Sequence, residues 1–455
     1  MFPRQRLKRL TGGHDTRGAA AETARNLRPA AARAKAQQQS GETMHVIIAG
    51  AGIVGLQVAH AVLDQGHTAT LVDPDGIATR TSSGNAGFIA HTDILPLASP
   101  KVWRNLPRWL LDPLGPLSIR PSYALAIAPW MARFVAASTP ARIEASTEAL
   151  IALNGMALAA WERRLGGLGL ADRHLRRKGY MYAFPNAAGF AANMDTVRRQ
   201  QSVGIAVELL TDSAAVRRLE PALSQKVVAG AFYPGGVSVD NPASICAAVG
   251  AAALARGATM VREAVASIKP VEGGIEARLL GGPVLRADAA VVAAGAWSRP
   301  LALLLGDTIP LDTERGYNLT LPKGALGLSR PVLFDGLAFV TSPFDDSDRI
   351  GGSVEFGGLE AAPNYARVDA IIERARPYLP EADFEGGQRW MGFRPSLPDS
   401  LPVIGRAEAS DRIVYAFGHS HYGLTQSAAT GELVAQLLGQ QRTSIDLLPF
   451  SPQRF

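Results

Sequence analysis

One segment near residue 50 restricts the possible folds of this chain more than any other. His45–Ala49 is a short apolar run typical of a parallel strand buried on both faces, and GAGIVG follows it at residues 50–55. Apolar residues at helical spacing come next and stop at Gly66, after which a second apolar run ends in Asp73. A strand, a GxGxxG turn, a helix, a second strand and an acid predict a dinucleotide-binding unit.

Each glycine of this turn has a steric reason to be there. Gly50 allows the tight turn, Gly52 lets a pyrophosphate approach the backbone, and Gly55 lets the helix pack close to the strand. The helix N-terminus would hold the phosphates with its free N–H groups and its positive dipole end. Asp73 would accept hydrogen bonds from ribose hydroxyls, and its charge argues against a 2′-phosphate. Because the chain has 46 glycines, the spacing alone is weak evidence, and the prediction depends on the flanking strands and helix.

The chain returns to this unit late. Asp288–Ser298 predict a buried strand, which comes after another strand-like stretch at residues 258–268. A further strand is predicted at Arg412–Phe417, followed by a glycine-containing turn at residues 418–423 and a helix at Thr425–Leu438. Because so much chain separates these segments from the first strand, we expect a second domain to be inserted into the nucleotide-binding one.

Composition excludes several classes of protein. The single cysteine, Cys246, excludes an internal disulfide framework, a cysteine-based zinc cluster and a thiol redox pair. The net charge of +6 lies in residues 1–43, where nine basic side chains face three acids, and the rest of the chain is neutral. A neutral body in which aromatics do not alternate with Arg or Lys argues against a nucleic-acid partner. No apolar run is long enough for a transmembrane helix.

Residues 1–43 are predicted to be a disordered basic leader. They are rich in Ala, Arg and Gln, so they bury too little apolar surface to offset the entropy lost on ordering. Their Arg-rich, acid-poor composition also suits an organelle transit peptide. A third interpretation is that translation starts at Met44, directly before the first strand.

Five motifs occur in the order found in a known superfamily. They are GAGIVG with Asp73, TSSGNAG at residues 81–87, AAGAWS at 293–298, GFRP at 392–395 with PD and PVIG after it, and GHSHYGLT at 418–425. In this combination the chain resembles the FAD-dependent D-amino-acid oxidase and dehydrogenase superfamily, and most of all the bacterial D-amino-acid dehydrogenases, including the D-hydroxyproline type. The resemblance extends from Met44 to about Leu438. It departs from the family at Asp73, where Glu is more usual, and it is loose in the second half of the substrate region, so side-chain specificity stays open.

The resemblance implies an α/β fold in which an antiparallel-sheet substrate domain of α+β type is inserted into a Rossmann-like FAD-binding domain. The FAD-binding domain would comprise residues 44–100, 240–300 and 386–455, and the substrate domain residues 101–239 and 301–385. Apolar spacing predicts a helix at Thr147–Leu165 in the substrate domain. Short strands would follow and form a sheet over the flavin. Tyr180, Tyr182 and Phe232 are candidates for the pocket wall, with core packing as the alternative.

The cofactor that the resemblance implies is FAD. Its adenosine half would lie on the GAGIVG turn and Asp73, and the loop at residues 82–87 would run past the isoalloxazine ring. Val265 would contact adenine through its backbone and Gly295 would lie near the pyrophosphate, although either residue could be sheet core. The predicted cofactor-binding residues are Gly50, Gly52, Ile53, Val54, Gly55, Asp73, Ser82, Ser83, Asn85, Ala86, Gly87, Val265, Gly295, Gly418, His419, Gly423, Leu424 and Thr425.

The implied reaction is oxidative deamination of a D-amino acid, or of a D-imino acid such as D-proline or D-hydroxyproline. A hydride would pass from the substrate Cα to flavin N5, leaving an imine that hydrolyses to a 2-oxo acid. Arg394 is the predicted carboxylate anchor because a planar guanidinium matches a carboxylate bidentately. Tyr317 is a second candidate ligand, with core packing as the alternative. His421 would contact the flavin or line the substrate pocket, because His419 and His421 without an acidic or cysteine companion make a poor metal site.

Two other functions stay open at the level of sequence: an NAD-dependent dehydrogenase and a flavin-binding protein without turnover. The expected partners are a small amino-acid substrate and an electron acceptor, which is a quinone, a carrier protein or oxygen. The expected location is cytoplasmic, with peripheral contact to the inner face of the membrane as a further option. Spacing and motifs do not decide the substrate side chain, the choice between dehydrogenase and oxidase, or the oligomeric state.

Overall fold

The structure is a computed structural model that describes residues 43–98, 114, 115 and 117–455. The predicted disordered leader therefore lies outside the described residues, except for Thr43. The described helices, numbered in chain order, are α1 Ile53–Asp64, α2 Ala124–Ala137, α3 Pro140–Gly167, α4 Ala171–His174, α5 Ala187–Ala192, α6 Met194–Ser202, α7 Ser213–Leu219, α8 Pro242–Ala255, α9 Ser298–Leu304, α10 Ala366–Ala375 and α11 Gly423–Leu438.

The described strands were numbered in the same way. They are β1 His45–Ala49, β2 Thr68–Val72, β3 Phe88–Ile89, β4 Leu117–Ile119, β5 Leu175–Arg176, β6 Tyr180–Phe184, β7 Glu208–Leu210, β8 Ala229–Tyr233, β9 Val237–Val239, β10 Thr259–Val261, β11 Val265–Val271, β12 Gly274–Leu279, β13 Val284–Ala287, β14 Ala289–Val292, β15 Asp312–Pro322, β16 Val332–Phe334, β17 Phe339–Pro343, β18 Ser347–Phe356, β19 Gln388–Ser396, β20 Val403–Ala407 and β21 Ser410–Phe417.

A six-stranded sheet carries the nucleotide-binding unit, in the order β10-β2-β1-β14-β21-β20. Its pairs are parallel except β20 with β21, and Val46 to Ala49 of the central strand β1 are buried. The continuous apolar run at residues 45–49 reflects this burial on both faces. The strand at 289–292 pairs with β1 and the strand at 410–417 pairs with that strand, which confirms the predicted Rossmann-like arrangement in which late segments return to the first sheet.

One predicted strand is divided in the structure. Residues 258–268 form β10, which pairs with β2 in the six-stranded sheet, and the start of β11, which pairs with β12 in a separate three-stranded sheet. The charged residues Arg262 and Glu263 interrupt the apolar run, and the chain leaves the first sheet there because such side chains are costly to bury.

A nine-stranded sheet forms the second layer, in the order β19-β15-β18-β17-β16-β6-β8-β7, with β4 beside β18. Most of its pairs are antiparallel; β16 with β6 and β18 with β4 are parallel. This sheet confirms the predicted antiparallel-sheet insertion. Strand β19, which carries Arg394, belongs to it. The predicted limits of the two domains stay a prediction.

Helix α11 contacts two other helices, α1 and α3. A Cβ at Gly431 would overlap the Gln57 carbonyl of α1, so the two helices approach as closely as glycine allows. Trp161 of α3 donates from its indole Nε1 to the Leu424 carbonyl at 2.8 Å. The Trp161 contact holds the first turn of α11, and the close approach at Gly431 holds the middle of the helix against α1. None of the described helices has the length and apolar character needed to cross a membrane.

Candidate functional site

A cavity of about 950 Å³ brings together chain segments that are far apart in sequence. Its lining includes Gly50 and Gly52 of the first turn, the loop after β2, residues of the nine-stranded sheet, and the start of α11 at Gly423. The turn after residue 49 and the loop after residue 418 therefore face one space, as a single ligand gripped at two ends would require.

The first turn has little room for side chains. Gly50 adopts φ +110°, a conformation that L side chains rarely adopt, and a Cβ there would overlap the Ala293 carbonyl. A Cβ at Gly55 would overlap the Gly50 carbonyl, so this glycine allows the helix to lie against the turn. Asp73 stabilises the same turn, because its Oδ2 accepts a hydrogen bond from the Ala51 N–H at 2.9 Å.

The loop at residues 81–87 is held by the nine-stranded sheet. Arg349 of β18 donates from Nη1 to the Asn85 carbonyl at 2.6 Å and to the Ser83 carbonyl at 3.3 Å. Asn318 of β15 donates to the Gly84 carbonyl at 2.8 Å. Burial lowers the pKa of Arg349 to about 10, which leaves the guanidinium charged at neutral pH. These contacts fix the loop backbone along one side of the cavity.

Arg394 lies inside the molecule and faces the cavity. Its Nη1 donates to the Ser353 carbonyl of β18 at 3.0 Å, so the side chain crosses over β15. A Cβ at Gly316 of β15 would overlap the guanidinium, which shows that this crossing depends on glycine. Burial lowers the pKa of Arg394, and the nearby Glu314 carboxylate opposes that shift. The guanidinium has further N–H donors available for an anion.

Glu314 and His421 complete a small charged group around Arg394. Glu314 is buried, and the His421 Nε2 lies 3.6 Å from its Oε2, which has no hydrogen-bond partner. Burial raises the pKa of Glu314, against the effect of Arg394. Burial and the Arg394 charge lower the pKa of His421 to about 3, so the imidazole is neutral at pH 7. Arg394 is thus the cation of this group, and His421 adds no competing charge.

Tyr317 also lines the cavity, but its hydroxyl is already engaged. It donates to Glu355 Oε2 at 2.6 Å and accepts from the Asn364 N–H at 3.2 Å. Glu355 in turn is bound by Arg120. The predicted role of Tyr317 as a second carboxylate ligand stays a prediction, and it would require this hydroxyl to exchange partners.

The start of α11 is a polar end of the cavity. Thr425 accepts a hydrogen bond from the Ala90 N–H at 2.9 Å, which ties the helix start to the segment after the 81–87 loop. His419 is buried, its Nε2 lies 3.0 Å from the Thr430 Oγ1, and burial lowers its pKa to about 3. The first-turn N–H groups of the helix and its positive dipole end are suited to stabilise negative charge.

The structure places most of the predicted site residues around this cavity. Three do not line it: Gly55 packs in the turn, Ser83 turns its hydroxyl to the Arg80 carbonyl, and Gly418 adopts φ +85° against Leu397. Among the described residues, no cluster of His, Cys, Asp or Glu could hold a metal ion. The predicted residues that line the cavity are Gly50, Gly52, Ile53, Val54, Asp73, Ser82, Asn85, Ala86, Gly87, Val265, Gly295, Tyr317, Arg394, His419, His421, Gly423, Leu424 and Thr425.

Sequence reasoning missed several polar residues of the site. No motif or spacing distinguishes these residues from others of the same types, which are common in the chain. They are Arg349, Asn318, Glu314 and Asp93. Tyr180 and Tyr182, two of the candidates for the pocket wall, line the cavity, whereas the third, Phe232, does not. The Arg330 guanidinium lies over the Phe232 ring instead.

The residues present fit a dinucleotide cofactor. At one end, Gly50 and Gly52 line the cavity without side chains, directly before the N-terminus of α1. At the other end, the loop at residues 81–87 and the start of α11 present backbone groups to the same cavity. A cavity lined in this way accommodates an elongated ligand with a diphosphate at one end and a ring system at the other.

Comparison with known proteins gives a consistent result. The family model described as FAD-dependent oxidoreductase (DAO) matches residues 45–437. A protein named D-amino-acid oxidase from Bradyrhizobium diazoefficiens is 38% identical over 422 residues, which cover 91% of this chain and 99% of that protein. D-amino acid dehydrogenase 2 from Pseudomonas aeruginosa is 30% identical over 417 residues, covering 90% of this chain and 98% of that one.

Solved structures share the fold at lower sequence identity. Glycine oxidase from Geobacillus kaustophilus superposes with a TM-score of 0.68 at 22% identity, covering 91% of this chain and 100% of that one. L-proline dehydrogenase from P. horikoshii gives a TM-score of 0.70 at 18% identity, with 91% and 98% covered. These likenesses show the fold alone.

Proposed function

This chain belongs to the DAO family of FAD-dependent oxidoreductases, and from that membership we propose that it oxidatively deaminates a D-amino or D-imino acid. The observation that carries the proposal is the cavity in which a buried, cavity-facing arginine, the dinucleotide turn and the start of α11 meet. The match to an FAD family over residues 45–437 favours FAD over NAD as the cofactor.

Within this proposal, Gly50, Gly52 and the N-terminus of α1 would hold the diphosphate of FAD, and Asp73 would bind its ribose. The loop at residues 82–87 and the start of α11 would hold the ring system. When bound there, FAD supplies a two-electron acceptor for a hydride from the substrate Cα. The protein's contribution is to orient the substrate, shield it from water and stabilise charge.

Arg394 orients the substrate by binding its carboxylate. One guanidinium N–H is already bonded to the Ser353 carbonyl, which fixes the plane of the group and leaves the other donors for the substrate. A planar fork of this kind holds a carboxylate in a single orientation. The substrate Cα is thereby positioned relative to the ring site.

His421 and the first turn of α11 act on the other charges of the reaction. A neutral His421 offers a hydrogen-bond acceptor to the substrate amine and does not repel it. The first-turn N–H groups at Leu424 and Thr425 would stabilise negative charge on a ring bound beside them.

One experiment tests the proposal. Purified protein should contain FAD by its absorption spectrum, and D-amino acids, but not their L-enantiomers, should bleach that spectrum without oxygen. A protein that binds NAD instead, or a flavin that no member of a D-amino- and D-imino-acid panel reduces, contradicts it. Reoxidation by oxygen, a quinone or a carrier protein then identifies the class of electron acceptor.

The proposal includes peripheral contact with the inner face of a membrane through α2. Leu125 and Val135 of this helix are 92% and 49% exposed, and Arg133 is its only charged residue. An apolar, cation-bearing surface suits an anionic lipid bilayer. Co-sedimentation with vesicles of anionic phospholipid should be lost in Leu125→Asp and kept in Leu448→Asp, a matched change at another exposed leucine. Wild-type protein that stays in the supernatant contradicts the contact.

A further inference from the structure

Asp93 is a carboxylate that faces the cavity without a cation. It is partly buried and lines the cavity. Tyr182 donates a hydrogen bond from its hydroxyl to Asp93 Oδ1 at 3.1 Å. No ion pair in the described part of the chain includes Asp93, and no hydrogen bond there reaches its Oδ2. A charge buried in this way is costly unless a partner arrives.

The surroundings of Asp93 are aromatic and neutral. Tyr180, Tyr182 and Tyr422 line the cavity with it. Burial raises the pKa of each of these tyrosines far above its ordinary value, and the Asp93 charge adds to that rise, so they stay protonated. Aromatic faces and one carboxylate together favour an organic cation.

Asp93 lies away from the carboxylate anchor. Tyr182 stands on β6, three strands from β18, whose Ser353 carbonyl binds the Arg394 guanidinium. At about 4.8 Å per strand, the backbones of β6 and β18 are about 14 Å apart across the sheet, which places the Tyr182 partner of Asp93 well away from the carbonyl that binds Arg394. The groups on a substrate Cα are too close together to reach both places, so Asp93 faces the far end of a side chain.

The cavity is continuous along this path. Ser353 of β18, Val340 of β17, Leu333 of β16 and Tyr182 of β6 all line it. An extended lysine or arginine carries its charge about 7 Å beyond Cα by standard bond lengths. With its carboxylate and one hydrogen bond of about 3 Å at each end, such a molecule spans about 14 to 15 Å.

We propose that Asp93 and the tyrosines around it form a subsite for the cationic end of a basic D-amino acid, such as D-lysine or D-arginine. This inference rests on the proposed function and names the substrate class for that same cavity. Arg394 binds one end of the substrate and Asp93 the other, while a neutral side chain of equal length leaves Asp93 unpaired.

The test compares D-lysine with D-norleucine, which has the same chain length without the charge. In the FAD-loaded enzyme, kcat/KM for flavin reduction should be at least 10-fold higher with D-lysine. Asp93→Asn keeps an acceptor for the Tyr182 hydroxyl and should reduce that ratio at least 10-fold. Asp411→Asn, which removes an exposed carboxylate elsewhere, should leave the ratio unchanged. A wild-type ratio near one, or a ratio that Asp93→Asn does not change, overturns the subsite.

A second measurement needs no variant. Butylguanidinium should compete with D-norleucine in the wild-type enzyme at least 10-fold more strongly than butylurea, its neutral analogue. Equal inhibition by the two compounds overturns the subsite. If D-norleucine and D-alanine reduce the flavin without any preference for D-lysine, only this inference fails. If no D-amino acid reduces it, the proposed function fails and the inference fails with it.

Discussion

Arg394 shows how much one side chain can depend on its surroundings. Its guanidinium is removed from bulk solvent, bonded once to the Ser353 carbonyl and balanced by the buried Glu314. The exposed Arg389 of the same strand pairs instead with the surface carboxylate of Asp369. A buried cation with unused donors that faces a cavity is a strong anion site, because few water molecules compete for it.

We predict that Arg394→Ala will raise KM for D-amino acids while FAD stays bound. Removing one partner of a buried charged pair costs about 2 to 4 kcal/mol, which corresponds to about 30- to 1,000-fold in KM. Steady-state kinetics with the absorption spectrum as the check on FAD content would measure this. Arg389→Ala, on the same strand but exposed, is the control and should have a normal KM. An unchanged KM in the Arg394 variant would show that the anchor is another residue.

The titration of Asp93 gives a prediction for pH. Burial raises the pKa of Asp93 to about 6, against the effect of the Tyr182 hydrogen bond. Asp93 helps to raise the pKa values of four tyrosines, which therefore stay neutral between pH 5 and 8. They are Tyr180, Tyr182, Tyr233 and Tyr422. Because the carboxylate is charged above this pKa and neutral below it, the preference for D-lysine over D-norleucine should be present at pH 8 and decline as pH falls through about 6.

The substrate amine of D-lysine stays charged in that range, since an ordinary lysine amine has a pKa of about 10.4. Groups common to both substrates cancel in the ratio of their kcat/KM values, so the ratio reports on Asp93. Asp93→Asn should show a flat ratio across pH. A wild-type ratio that is independent of pH from 5 to 8 would argue against titration of Asp93.

At the scale of elements, the site depends on close approaches between strands and loops. Strand β18 supplies Arg349, which holds the 81–87 loop through the Ser83 and Asn85 carbonyls. Strand β15 supplies Gly316, over which the Arg394 side chain passes. The nine-stranded sheet therefore holds the loop at residues 81–87 as well as covering the cavity.

We predict that Gly316→Ala will impair the site but not the fold. A Cβ at this position would overlap the Arg394 guanidinium, which is the end of a flexible side chain and can move aside. The variant should raise KM about 10-fold, a loss of about 1.4 kcal/mol, and lower Tm by only a few degrees. Gly235→Ala, where a Cβ meets nothing within 4 Å, is the matched control. A normal KM in Gly316→Ala would show that Arg394 does not need this crossing.

At the scale of the whole molecule, one cavity joins the two sheets. The ligand that fills it would contact the turn at Gly50, the loop at residues 81–87 and the start of α11 together. A ligand that binds only the folded state stabilises it by mass action, by about 4 kcal/mol when its free concentration is 1,000 times Kd.

We therefore predict that removal of FAD will lower Tm and expose the 81–87 loop. Differential scanning calorimetry of the apoprotein should give a lower Tm than the holoenzyme, and adding FAD should restore it. Limited proteolysis should cut the apoprotein faster near residues 81–87, while a surface turn such as residues 272–274 should be cut equally in both forms. Equal Tm values with and without FAD would show that the cavity does not bind it.

The fold class and its order of elements could be read from local patterns. These patterns involve residues that are close together in the chain, and the observed strands agree with the predicted ones. They include GAGIVG, the apolar run of β1 and the alternation in the later strands. The apolar stretch at residues 258–268 predicts a single strand, because periodicity does not reveal that the chain changes sheets at Arg262 and Glu263. Residues without a motif, such as Arg349 and Asp93, had no signal in spacing at all.

By itself, the amino-acid sequence determined the turn at residues 50–55, the Rossmann-like strands and the family membership. These are consequences of steric demand and hydrophobic periodicity, which act between residues close together in the chain. The tertiary structure alone decided that Arg394 crosses Gly316, that Arg349 holds the loop at residues 81–87 and that Asp93 binds a tyrosine of β6, three strands from β18. Sheet order and side-chain direction set those contacts, and both depend on packing between segments tens to hundreds of residues apart, which local spacing does not encode.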